Sequence, residues 1–308
     1  MKPVSVLVHA VVAHTRRALR GRDVALWTAG LTFYVALAMV PMLLLVLRGT
    51  AEIFGQDFVT EGVRALGAAL PKAHDAAPAL DALSGAALDA SWVVLLAALI
   101  PATMYGEGLR RGLNQIAGSP ASGRTGWAGR FAFLPLLLAG PLLVAPPLAI
   151  APEVTSLYQA GGWSTVLGVV LSFHIDLVPI SLATAGVFAL AGPAALPVRS
   201  ALLAGLAVGA TLTGFLHGFI VFLAIPIDWS VPFGGLSRIA DVVAIVLWLF
   251  LLHLVLLFGY RIALSARLVV RPKGASDVVD RPNQREVAQG SASGPAAPAQ
   301  PGTHVPGG

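Results

Sequence analysis

Apolar positions along the chain gather into six long runs, and charged residues return between them. Residues 24–47, VALWTAGLTFYVALAMVPMLLLVL, contain no Asp, Glu, Lys, Arg or His and are bracketed by Asp23 and Arg48. A helix needs about 20 apolar residues to cross the roughly 30 Å hydrocarbon core of a bilayer. A soluble core helix of that length keeps a polar face, and this run has none. Five further runs follow at 91–109, 131–151, 170–191, 200–225 and 239–262. Glu107 closes the second of these early. The pattern predicts an all-α, polytopic membrane protein with six transmembrane helices.

The stretches outside the runs have their own periodicity. Val4, Leu7, Val8, Val11, Val12, Thr15 and Leu19 share one helical face, with Lys2, Ser5, His9, Arg16 and Arg20 on the other. Residues 1–22 therefore read as an amphipathic leader, lying on anionic headgroups or packed on protein. Between the first two runs, residues 48–90 are acidic. Val59, Val63, Leu66 and Leu70 recur at helical spacing up to Pro71, and Leu80, Leu83 and Ala87 repeat it. This loop is expected to hold two short amphipathic helices. The membrane domain spans 23–271. Residues 272–308 turn to Gly, Ser, Pro, Ala and Gln, a composition that predicts a disordered tail.

Composition agrees with a membrane protein: 56% of residues are hydrophobic and 11% charged. The net charge of +5 raises the question of nucleic acid, and the placement of the charges answers it. If the N-terminus lies in the cytoplasm, only Arg48, Arg64, Lys72 and Arg238 of the 20 Lys and Arg fall on the far side. That is the positive-inside bias, with both termini cytoplasmic. Anionic lipid at the cytoplasmic face is the expected partner, not nucleic acid.

Lipid does not drive helices together as water does, so close packing must. Gly205 and Gly209, then Gly214 and Gly218, each have GxxxG spacing in the fifth run. Prolines recur within the spans: Pro41, Pro101, Pro135, Pro141, Pro146, Pro147 and Pro179. The third run, with four of them, is expected to be kinked or unwound in its outer half. Membrane helices also tolerate proline, so these residues either are simply accommodated or mark backbone lining a polar cavity.

Ionisable groups inside a span are costly and mark functional sites. Asp176 is placed about five residues into the fourth span, and Asp241 opens the sixth. With Arg48 and Arg238 they form the mouth of a cavity or reach interfacial water. His217 and His253 lie deeper, as hydrogen-bonded bundle residues or as proton carriers, and out of each other's reach. Tyr34 is too deep for an interfacial belt, so its hydroxyl is expected to find a partner in the bundle. There are no cysteines. No HExxH, GxSxG or GxxxxGK[ST] pattern occurs, so no metal, cofactor or enzymatic activity is expected.

Several of these residues also carry a resemblance. TAGLTFYVALAMVPMLLL (28–45), with Phe33, Tyr34 and Pro41, resembles the first-helix signature of the YihY/virulence factor BrkB family. Asn114, Gly205, the aromatics Phe219 and Phe222, FGGL (233–236) and LWLFLLHLVLLFG (247–259) follow in the family's order. The resemblance runs from about residue 22 to 265. It implies six transmembrane helices in the bacterial plasma (inner) membrane with both termini inside. It also implies transport, export or flipping of an amphipathic or lipid-like substrate, although the family's activity is not established and its old ribonuclease label is generally regarded as mistaken. A non-transporting scaffold is the alternative. The family usually ends its sixth helix Gly-Ala-Glu, whereas this chain has Gly259-Tyr260-Arg261. Glu107 is therefore expected to pair with Arg261, or else with Arg110 or Arg111 along its own helix.

Overall fold

The computed structural model describes residues 4–71, 76–118, 125–192, 196–225 and 227–270. The chain divides into a large unit, Met1–Arg267, and a second unit that begins at Leu268. The tail 272–308 and the loop residues Lys72, Asp75 and Arg124 lie outside the described residues. The described residues of the large unit form helices joined by short turns, with no strand among them. Its helices are α1 (Val4–Leu19), α2 (Val24–Phe54), α3 (Gln56–Ala69), α4 (Ala76–Asp89), α5 (Trp92–Ala117), α6 (Thr125–Ala160), α7 (Trp163–Gly186), α8 (Val198–Ala224) and α9 (Ser237–Val270). A π turn, Val187–Ala191, continues α7.

Six of these helices are long and apolar enough to cross a membrane: α2, α5, α6, α7 with its π turn, α8 and α9. The chain is a polytopic, all-helical membrane protein. Large apolar side chains point outward along them, among them Leu138, Trp163, Leu203 and Val242. Water would penalise that surface, whereas hydrocarbon does not. Charged ends and local caps set the limits of the helices. Asp23 accepts a hydrogen bond from the Leu26 amide at 3.0 Å, and Gly118 closes α5 in the left-handed conformation (φ 76°).

The helices exceed the apolar runs. α2 has 31 residues and α6 has 36, so they extend roughly 46 and 54 Å at 1.5 Å per residue. α5 does not stop at Glu107 but continues to Ala117 with Glu107 buried inside it. α6 remains helical through Pro135, Pro141, Pro146, Pro147 and Pro152, so the expected unwinding of its outer half does not occur. Some of the prolines serve packing. A Cβ on Gly49 would lie 2.8 Å from Pro141 Cγ, so α2 presents a hydrogen where α6 presents a ring.

The far ends of α2 and α6 carry the amphipathic pair α3 and α4. Leu47, Ala51, Val59, Val63, Ala87 and Leu148 form a small apolar core there, and Thr155 donates a hydrogen bond to the Ala65 carbonyl at 2.8 Å. The main core fills the bundle with Leu31, Leu109, Leu113, Phe133, Phe188, Leu257 and Tyr260 among others.

Glycines set how closely the spans approach. Gly106 meets Phe133 and the Gly129 carbonyl across α5 and α6, and Gly108 lies under the Tyr34 ring. Gly259 abuts Val208 between α9 and α8. Of the four α8 glycines singled out by spacing, two behave as predicted. A Cβ on Gly205 would stand 2.7 Å from Ala185 Cβ, and one on Gly209 would stand 2.5 Å from Ser181 Oγ. Gly214 faces nothing within 4 Å, and Gly218 has only Trp248 at 3.6 Å. The second pair is thus not a close helix contact. Nine residues separate Gly214 from Gly205, about two and a half turns of helix, so the two pairs lie on different faces and only the first face meets α7.

Candidate functional site

The two ends of the bundle differ chemically. At the end formed by α1, the start of α2 and the close of α5 and α9, arginines cap exposed carbonyls. Arg22 donates to the Gln115 carbonyl at 2.8 Å, and Arg261 donates to the Ala117 carbonyl at 3.4 Å. Both cations complement the negative end of α5. Arg261 also donates to His14 Nδ1 at 3.4 Å, and Ser265 lies 3.1 Å from the same nitrogen.

Glu107 therefore does not pair with Arg261. Its carboxylate takes Arg111 at 2.5 Å and Arg130 at 3.2 Å. Arg111 was one of the two partners available along its own helix; Arg130, on α6, was not anticipated. The reason is geometric. Gly106 and Gly129 let α5 and α6 approach until their backbones touch, which delivers Arg130 to Glu107. Arg261 instead closes over the α5 terminus.

Within the spans, the two histidines form separate constellations. His253 is buried, and its Nδ1 lies 2.6 Å from the Leu249 carbonyl. A carbonyl only accepts, so Nδ1 carries the proton and Nε2 accepts from the Tyr105 hydroxyl at 2.8 Å. Tyr105 packs edge-on against Phe133 as well. Both imidazole nitrogens and the phenol proton are satisfied inside protein, which is how a lock between α5 and α9 is built. The Tyr105 hydroxyl, rather than that of Tyr34, thus takes a partner across the bundle. The Tyr34 ring covers Gly108, and no hydrogen bond from its hydroxyl is found among the described residues.

His217 on α8 faces Asp176 on α7, with 3.8 Å between Nε2 and Oδ2. Its Nδ1 lies 3.1 Å from the Thr213 carbonyl, which fixes the proton there. Ser172, one turn before Asp176, sits 3.2 Å from Nε2, and the Tyr158 hydroxyl of α6 reaches Ser172 at 3.0 Å. Four side chains from three helices thus form one polar thread in an otherwise apolar region. Asp176 is deeper than the apolar run implied. It stands near the middle of the 29-residue stretch Trp163–Ala191, roughly 20 Å from either end along the axis. Its partner was not foreseen, because nothing in the spacing of residues 176 and 217 relates two helices. Ser172 and Tyr158 were missed as well; the four-residue offset of Ser172 from Asp176 was the available signal. His174, two residues from Asp176 and so on another face of α7, turns away to the Val170 carbonyl at 2.7 Å.

Asp241 does not join Asp176. With Arg238 it lines a pocket of about 970 Å³ at the end of the bundle that carries α3 and α4. Leu80 and Leu83 of α4, Phe219 and Phe222 of α8, and Trp229 form its apolar wall. The aromatics support one another. Phe222 stacks on Trp229 with 4.3 Å between ring centroids, and Trp248 packs on Phe219 at 5.1 Å while donating to the Phe215 carbonyl at 2.9 Å. Asp228 completes the polar side. It accepts from the Ser230 hydroxyl at 2.6 Å and the Ser230 amide at 2.9 Å. The hydroxyl bond, and then the amide bond, hold its carboxyl below the ordinary aspartate range. Arg48 lies elsewhere, bound to Glu52 on its own helix and to the Leu88 carbonyl. Of the two readings of these four charges, the shared cavity mouth is not formed: they are divided among three places.

The segments noted earlier as distinctive, the α8 aromatic pair, the turn at 233–236 and the start of 247–259, converge on or beside this pocket. The family model for Virulence factor BrkB matches residues 15–281. The chain belongs to that family. No curated protein and no solved structure matches it.

Proposed function

We propose that this protein moves an amphipathic, lipid-like substrate across the bacterial plasma membrane, or between its leaflets, without chemically altering it. The pocket between α4, α8 and α9 carries this reading. Its volume of about 970 Å³ suits a small amphiphile, and its lining sorts by polarity. Aromatic and aliphatic side chains offer one wall for acyl or ring surface, while Arg238, Asp241 and Asp228 offer charge for a head group. A polar thread within the spans, from Tyr158 to Asp176, supports passage of something less apolar than lipid tails.

In this reading both termini lie in the cytoplasm. The arginine-rich end, with Arg16, Arg17, Arg22, Arg111 and Arg130, then faces the anionic leaflet, and the pocket opens on the outer side. The test compares the lipids of each leaflet in cells with and without the protein. A species that changes leaflet when the protein is absent, and that Arg238→Ala fails to restore, supports the proposal. An unchanged distribution in both leaflets overturns it.

A further inference from the structure

We propose that Asp176 and His217 form a proton-binding site within the span, so that the proton is the coupling ion of the transport proposed above. The coupling, though not the site, rests on that reading. The argument starts from proton accounting. The Thr213 carbonyl holds the Nδ1 proton of His217, so the imidazole turns Nε2 toward Asp176 Oδ2, 3.8 Å away, and toward Ser172 Oγ, 3.2 Å away. The groups facing the pair are few. Tyr158 comes from α6, Ser172 from α7 and the Thr213 carbonyl from α8. His174 is committed to the Val170 carbonyl. No Lys or Arg pairs with Asp176 among the described residues.

The pair therefore has to balance its own charge. With one proton to share it is neutral overall, as carboxylate with imidazolium or as carboxylic acid with imidazole. A second proton forms an O–H bond on Asp176 while the imidazolium keeps its own, and the site becomes +1. Losing the shared proton leaves it −1. Either charged state is disfavoured in an apolar span unless water or a substrate charge accompanies it. Changes in proton loading are thus tied to changes in what surrounds the pair, which is the requirement for coupling. The Asp176 and His217 side chains are 25% and 16% exposed, so the pair is not sealed in the core as His253 is. Ser172 gives its one hydroxyl proton to the Val169 carbonyl at 3.1 Å, so it accepts from the Tyr158 hydroxyl and from Nε2 when that nitrogen is protonated, and the hydrogen-bonded chain reaches α6.

The experiment is infrared difference spectroscopy of the full chain in liposomes during acidification, with the proton as the probe. A protonated-carboxyl band is expected in the wild type, lost in Asp176→Asn, with its midpoint displaced in His217→Gln. Asp176→Glu, which keeps a carboxyl at the site but displaces its band, assigns the band to this position should Asp176→Asn fail to fold. Absence of an aspartate band, or a midpoint indifferent to His217→Gln, overturns the site. In cells, a protein-dependent leaflet distribution that persists after a protonophore collapses the pH gradient overturns the coupling. An intact band with no leaflet effect at all leaves the proton site standing and removes only the transport reading.

Discussion

Four glycines of α8 carry the same sequence signature, yet their surroundings differ, and that difference has a measurable consequence. In Gly209→Ala the new Cβ stands 2.5 Å from Ser181 Oγ, 2.7 Å from Ser181 Cα and 3.0 Å from Ser181 N. Carbon contacts are comfortable at about 3.5–4.0 Å, so α7 and α8 must separate by roughly 1 Å. Two of the three clashing atoms are backbone, so a rotamer change gives no relief. Overpacking of this kind costs about 1–3 kcal/mol. Removing a mid-helix glycine returns about 1 kcal/mol of propensity. Gly214→Ala receives the same return and meets nothing within 4 Å. The two variants should therefore differ by about 1–3 kcal/mol, with Gly209→Ala the less stable. Gly205→Ala should follow Gly209→Ala, because Ser181 O at 2.7 Å and Ala185 N at 2.8 Å confront its Cβ. Equilibrium unfolding in mixed micelles, followed by helical circular dichroism, measures the difference. Equal stabilities for Gly209→Ala and Gly214→Ala would refute the assignment of the α7–α8 contact to the first glycine pair.

Further outcomes follow from the same geometry. Glu107→Gln leaves Arg130 and Arg111 without their carboxylate and should lower stability by about 1–3 kcal/mol, the half-exposed Arg111 contributing least. Exchanging charges as Glu107→Arg with Arg130→Glu should recover abundance relative to either single change, whereas Glu107→Arg with Arg261→Glu should not; membrane-fraction immunoblots decide between them. Tyr105→Phe strands the buried His253 Nε2 and should cost about 1–3 kcal/mol, while adding His253→Phe should return part of it, a coupling that a double-mutant cycle reads directly. Because the chain contains no cysteine, single cysteines introduced on α3 or α4 should react with an impermeant maleimide in intact spheroplasts. Reaction only after the membrane is breached would reverse the proposed orientation.

The solvent this protein expects is legible in its apolar pattern alone. Six apolar runs long enough to cross a bilayer, the first without any polar face, mark membrane spans, and the hydrophobic period of 59–70 and 80–87 marks α3 and α4. Such features are legible because they depend only on neighbours along one helix. The same holds for Arg111, one turn from Glu107, and for the turning away of His174 from Asp176. Tertiary structure decided everything that joins two helices. It chose Gly205 and Gly209 over Gly214 and Gly218, gave Arg130 to Glu107 and left Arg261 to cap α5, and set His217 against Asp176 and Tyr105 against His253. It also split Asp241 and Arg238 from Asp176 and gathered the aromatics of α8, α9 and the turn between them around one pocket. The physical reason is that lipid is equally apolar on every side of a span. Hydropathy therefore reports that a helix crosses but carries no information about its rotation or its neighbours. Those are fixed by where small residues let backbones approach and where a buried polar group finds its partner.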